Sequence, residues 1–211
     1  TASSHGINSA LQKNLPYDAV KDFAPVTVVA STPNIIVVHP SVPARTLGEL
    51  LALAKSRPGQ INFGSTSPGG SPHMSAELLK MMAGVDMTHV PYKGASPMLT
   101  DLMGGQIQAG FDNLPSTIAF VRSGKLRALA VTTAQRWPGA ADIPTVAESV
   151  PGYEVSGWFG LLAPAGDLQR VDGGDAWRAA TAEPDLGQRQ PVGYALEQGV
   201  QHLAQQRQGG E

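Results

Sequence analysis

Between the strand-like residues Ile61, Asn62 and Phe63 and an apolar-periodic run opening at Pro72 lies the loop Gly64, Ser65, Thr66, Ser67, Pro68, Gly69, Gly70, Ser71. At the carboxyl end of a strand in a parallel α/β sheet, such a loop turns backbone N–H groups and the positive end of the next helix dipole toward a crevice. That is an anion cradle. The same letters also fit an ordinary strand-to-helix loop in which Ser71 only caps the helix. Two catalytic motifs fail on this loop. A phosphate-binding P-loop needs Lys where Gly70 stands, although Gly64, Gly69 and Ser71 keep its register. A nucleophile elbow centred on Ser67 needs Gly at position 65, which is Ser. The loop suits holding a small carboxylate without reacting with it.

Neighbouring residues extend this chemistry. His73, in the first turn of the following helix, is placed to donate to an anion or to be satisfied by solvent. Lys93, in Pro91, Tyr92, Lys93, Gly94, ends the next strand and is either a counter-charge or a solvated lysine. Asp112 and Asn113 end the strand after that, where an Asp accepts from a ligand ammonium or hydroxyl, or caps the helix near Pro115. The stripes Met74, Met81, Met82 and Met98, Met103 read as core packing. His5, His39, His73, His89 and His202 have no metal-ligand spacing, and no carboxylate pair forms a hydrolase site. No metal or cofactor is expected, and the lack of an acid/base set argues against an enzyme.

The elements that would position these residues alternate between strand and helix over 34–131, the βαβ signature. Ile35, Ile36, Val37 and Val38 form a β-branched run suited to a strand buried on both faces. Thr46 and Glu49 have capping-box spacing, and Leu47, Leu50, Leu51 and Ala54 make an apolar stripe that stops before Pro58. Ser71-Pro72 and Ser96-Pro97 predict two helices with the same start, ending at Gly84 and Gly104. Strands are predicted over 24–30, 87–90, 107–111 and 126–131, and a helix over 115–122. Residues 132–166 are turn-rich and read as a return path, and 167–211 as a Gln-rich, poorly structured tail.

Composition excludes other classes. The 211 residues carry 15 Lys+Arg against 17 Asp+Glu, so there is no basic field for nucleic acid. With 42% hydrophobic residues the chain can build a core, and 24 Gly with 17 Pro imply many tight turns. Absence of Cys removes thiolate chemistry and disulfides. The longest apolar runs, near 34–38, fall short of the roughly 20 residues that span a bilayer. The sequence opens at Thr1 without a leader, so an export signal has been removed or the sequence starts inside a longer chain.

Four stretches, Phe63-Gly-Ser-Thr-Ser-Pro-Gly-Gly-Ser-Pro-His73, His89-Val-Pro-Tyr-Lys-Gly94, Asp101-Leu-Met-Gly-Gly-Gln106 and Trp158-Phe-Gly-Leu-Leu-Ala-Pro-Ala-Gly166, together resemble the Bug family. These are TctC-like periplasmic solute-binding receptors of tripartite tricarboxylate transporters. Thr1-Ala-Ser-Ser-His5, Leu15-Pro-Tyr-Asp18 and Asp22-Phe-Ala-Pro-Val26 agree with its first-lobe loop and strand, so the resemblance covers roughly 1–166.

It implies an α/β, periplasmic-binding-protein type II-like fold with two lobes of parallel or mixed sheet, the first lobe incomplete. Residues 1–33 would be a remnant of the first lobe, 34–131 the second lobe, 132–166 the crossover and 167–211 a divergent tail. A changed reading frame near 167 would account for that tail. The implied ligand is a small carboxylate: a tricarboxylate, dicarboxylate, amino acid or aromatic acid, bound as the cleft closes. Carried over, the site comprises Ser65, Thr66, Gly70, Ser71, Lys93, Gly94, Asp112 and Asn113, faced by Ser4 and His5. The implied partners are the transporter's membrane subunits, with the receptor a periplasmic monomer. The alternatives are a hydrolase or transferase using Ser67 or His73, or a non-functional fragment.

Overall fold

The β-branched run at 35–38 is the buried end of a sixteen-residue strand, β1 (Phe23–Val38), in a computed structural model that describes residue 7, residues 14–66 and residues 68–165. The strand expected over 24–30 and the one expected from 34 are thus one continuous strand. Pro33 does not break it, because β1 begins to pair with its neighbours β4 and β5 only at Asn34 and Ile35, so no bond of those ladders is lost at Pro33. The described residues fall into two units by contact, 32–156 and the combination of 14–31 with 157–165.

In the first of these units, β1 is followed by α1 (Leu47–Ser56), β2 (Asn62–Ser65), α2 (Ser71–Ala83), β3 (Thr88–Pro91), α3 (Ala95–Met103), β4 (Ala109–Asn113), α4 (Leu114–Arg122) and β5 (Arg127–Val131). The sheet order is β3-β2-β4-β1-β5. β2 lies parallel to β3 and β4, whereas β1 is antiparallel to β4 and β5, so the sheet is mixed. Alternation along β1 sends Ile36 and Val38 into one core with Phe63, Phe111, Leu50 and Leu79, and Ile35 and Val37 into another with Met98, Leu99 and Leu102. Each fully buried aliphatic side chain contributes about 1.5–3 kcal/mol, and helices on both faces supply the cover this strand requires.

The helix starts differ from the sequence reading in detail. Thr46 Oγ1 caps α1 by accepting the Glu49 N–H, but the Glu49 carboxylate reaches the Arg45 N–H rather than that of Thr46. The predicted stripe of α1, Leu47, Leu50, Leu51 and Ala54, is the buried face. Neither Ser71 nor Ser96 is a cap. Gly70 and Gly94 occupy the N-cap positions of α2 and α3, and the serines lie inside the helices. The packed face of α2 is Met74, Ser75, Ala76 and Leu79, while Met81 and Met82, expected from the sequence in the packed stripe, are 44% and 38% exposed because they lie off that face.

Residues 132–155, read from sequence as a return path, pack on this unit without regular strands. Val155 N–H donates to Thr132 O at 2.8 Å, Val131 bridges to Thr145, and Val146, Tyr153 and Val155 are buried. Two 3₁₀ turns, Pro138–Ala140 and Val146–Glu148, carry no long period that a sequence reading could detect. The other unit holds the first part of β1, up to Ser31; there β6 (Ser156–Pro164) pairs β1, and Ala165 N–H donates to Asp22 O at 2.8 Å. The tail reading for 167–211 lies outside the described residues. Among the described residues no helix is long and apolar enough to cross a membrane.

Candidate functional site

Because β2, β3 and β4 are parallel, their carboxyl ends collect at one edge of the sheet. Ser65 is in register with Pro91 and Phe111, and two loop bonds extend the alignment: Tyr92 N–H donates to Ser65 O and Gly94 N–H to Thr66 O, both at 3.0 Å. Ser65, Thr66, Lys93, Gly94, Asp112 and Asn113 therefore meet at this edge. Gly70 and Ser71 join them at the positive end of the thirteen-residue α2. Two turns here need glycine. Gly69 has φ 73° and Gly94 φ 112°, both in the region that a Cβ disfavours.

Beneath the loop two imidazoles are stacked. His73 and His89 have ring centroids 4.0 Å apart and planes within 14°, and Phe63 stacks on His89 at 5.0 Å. His73 Nδ1 accepts the Gly69 N–H at 3.0 Å, and His89 Nε2 is 2.7 Å from Ser65 Oγ. Burial first, then the Lys80 ammonium, lowers the His73 pKa to about 4. Burial likewise lowers His89 to about 4, followed by its stacked neighbour His73. Glu77 lies 3.7 Å from His73 Nε2 and favours charge, but its carboxylate is already held by Lys80 Nζ at 3.1 Å. Desolvation prevails, and both rings are neutral at pH 7.

The edge is tied down by polar groups on both faces. Asn34, opposite Asn113 in the ladder, donates from Nδ2 to Ser75 Oγ at 2.7 Å, and Ser75 Oγ donates to Ser71 O at 2.7 Å. Tyr153 OH donates to Ser75 O at 2.8 Å, so the first turns of α2 are pinned from two directions. Asp112 is fully buried; its Oδ2 accepts from Thr117 Oγ1 at 2.9 Å, and burial raises its pKa. Among the described residues the buried side-chain acceptors without a partner are Asn34 Oδ1 and Asp112 Oδ1, both at this edge.

The sequence-named residues thus fall into distinct settings. Thr66, Gly94 and Asn113 are partly exposed, and Gly70 and Ser71 are buried. Lys93 is exposed. Ser65 is enclosed, its hydroxyl engaged with His89, and Asp112 is turned to α4. Ser4, His5 and Ser67 lie outside the described residues. Sequence reasoning passed over Asn34, Ser75 and Tyr153, and weighed His89 only as a metal ligand. The available signal was a polar residue at the head of a β-branched run and a Ser within the apolar face of α2. Among the described residues no cluster of three or more His, Cys, Asp or Glu is set to hold a metal. A cavity of about 360 Å³, lined by Pro40, Val121, Arg127 and Asp142, lies at the opposite edge and includes none of these residues.

A sequence profile described as "Tripartite tricarboxylate transporter family receptor" matches residues 2–200, beyond the 166 at which the resemblance read from sequence ends. The chain is 34% identical to Protein BugT of Bordetella pertussis over 78% of its own length and 51% of that protein's. Among solved structures it is similar to R. palustris Rpa4515 with adipate, at 36% identity and TM-score 0.75, covering 94% of this chain and 60% of that one. It is also similar to MatC from Rhodopseudomonas palustris with bound malate, at 26% identity and TM-score 0.74, covering 96% and 76%. The chain spans about half the length of the curated relatives it matches.

Proposed function

The chain belongs to the tripartite tricarboxylate transporter receptor family, with its periplasmic-binding-protein type II-like α/β fold, and from that premise we propose that it captures a small carboxylate for such a transporter. The observation that carries this reading is the edge where the ends of β2, β3 and β4 meet the N-terminus of α2. Thr66, Gly70, Ser71, Gly94 and Asn113 stand there, and Lys93 supplies a nearby positive charge. Amides, hydroxyls and a helix dipole attract a carboxylate without attacking it. The two relatives solved with adipate and malate hold ligands of this class.

Binding without turnover is the reading favoured over a hydrolase or transferase. His73 and His89 have pKa values of about 4, which makes each a weak general base at neutral pH. The cellular place proposed is the periplasm, the state a monomer, and the partners the membrane subunits of the transporter. Discrimination among carboxylates would rest on the shape of the rim rather than on its hydroxyls and amides.

A thermal melt with adipate, malate, citrate, succinate, glutamate or nicotinate, and ATP as control, tests this. A ligand present at a hundred times its dissociation constant adds about 2.7 kcal/mol of stability. A rise with one carboxylate and none with ATP is expected. A rise with ATP alone, or hydrolysis of an ester substrate abolished by Ser67→Ala, overturns the receptor reading.

A further inference from the structure

We infer that His73 is a positioning residue for the carboxylate cradle: its unprotonated Nδ1, by accepting the Gly69 N–H, holds the 64–71 loop in its ligand-accepting shape. This rests on the function proposed above for that loop. It goes further by making ligand capture depend on one tautomer of a residue that need not touch the ligand.

The geometry leaves little freedom in the assignment. A backbone N–H only donates, so the ring nitrogen 3.0 Å from Gly69 must be unprotonated and the ring proton must sit on Nε2, the atom facing Glu77. Gly69 is itself at φ 73°, a conformation open to glycine and disfavoured for other residues, and it directly precedes the N-cap Gly70 that opens α2. The stacked His89 engages the other end of the same loop through Ser65 Oγ at 2.7 Å. Two parallel rings, backed by Phe63, therefore grip the loop at Ser65 and at Gly69.

Among the described residues the charged and titratable groups facing His73 are Glu77 and Lys80 on its own helix and His89 on β3, and from β2 Phe63 stacks on His89. A proton taken from solvent by Nδ1 would set one donor against another at Gly69 and place a cation against the neighbouring imidazole. The loop must then let go. Burial keeps His73 unprotonated until about pH 4, so the grip is intact at neutral pH.

Two substitutions separate the acceptor from the ring. His73→Asn places an amide oxygen where Nδ1 stood and cannot titrate, while His73→Phe keeps an aromatic face for His89 but has no acceptor. Adipate affinity is measured by calorimetry at pH 7 and pH 4, and the Gly69 amide is followed by NMR and hydrogen exchange without ligand. The expected result is that Phe weakens adipate about five- to tenfold at pH 7, the worth of one ordering hydrogen bond, while Asn stays within about twofold. From pH 7 to pH 4 the wild type should lose affinity relative to the Asn variant, since protonation of adipate itself affects all proteins alike. In the wild type the Gly69 amide should shift with the His73 ring titration; in the Asn variant it should not. A Gly69 amide indifferent to that titration, or a folded Phe variant with wild-type protection at Gly69, overturns the inference. If no variant binds any carboxylate, the functional reading fails, and the Gly69 amide still decides the role of His73.

Discussion

The imidazoles of His73 and His89 lie face to face, 4.0 Å between centroids and 14° between planes, although they are sixteen positions apart in the chain, with the rest of α2 between them. Such a pair is compatible with at most one charge, and burial disfavours even that. Both folded pKa values lie near 4 against an ordinary 6.5, so between those values the unfolded chain binds more protons than the folded one. The stabilising contribution is therefore complete above about pH 6.5 and is lost as pH falls toward 4. The melting temperature of the wild type should fall through this window more steeply than that of His73→Asn, which has one titrating ring fewer. Parallel slopes for the two proteins would remove His73 from the account.

Asp112 has the opposite sign. Its pKa is raised, chiefly by burial, so its contribution is present at low pH and is lost as pH rises through the folded value. Asp112→Asn keeps an oxygen for the Thr117 hydroxyl and removes the charge. We expect it to be more stable than wild type at pH 8 by about 1 kcal/mol, roughly 2–4 °C, with the advantage shrinking toward pH 4. Equal melting at pH 8 would show that the carboxylate is solvated after all.

The phenol of Tyr153 joins the 132–155 segment to α2 through Ser75 O. Tyr153→Phe leaves the packing and removes only that bond, at a cost of about 1 kcal/mol in urea unfolding with an unchanged m-value. A loss several times larger would mean that the hydroxyl organises the whole segment.

Gly64 and Gly110 let α3 approach the sheet. A Cβ on Gly64 would stand 2.6 Å from Ile107 Cδ1 and 2.7 Å from Met98 Cγ, and one on Gly110 would stand 2.8 Å from Leu102 Cδ2. Alanine at either position is expected to cost about 1–3 kcal/mol by overpacking. Unaltered unfolding midpoints for both variants would show that these side chains move aside freely.

The glycine results also show where sequence reading reaches its limit. Gly64 kept the register of a phosphate-loop glycine in the sequence, yet in the fold it is where a helix rests on a strand. Ser71 and Ser96 had the composition of caps, yet Gly70 and Gly94 hold the N-cap positions, and at Gly94 the backbone, φ 112°, is in the region that favours glycine. By contrast the stripe Leu47, Leu50, Leu51 and Ala54 was read residue for residue, since a helix repeats every 3.6 residues whatever it packs against.

By itself the sequence determined the kinds of element, their approximate ends and the hydroxyl- and glycine-rich loop between β2 and α2, because these follow from local periodicity and turn chemistry. Tertiary structure alone decided that β1 runs antiparallel to β4 and β5, that His73 meets His89, and that Asn34 and Tyr153 both converge on Ser75. Those partners are 41 and 78 residues apart for Ser75, and no spacing rule connects them. They meet because β1, antiparallel to β4, brings Asn34 level with Asn113 at the carboxyl end of β4, where buried polar groups must find partners across the fold or go without.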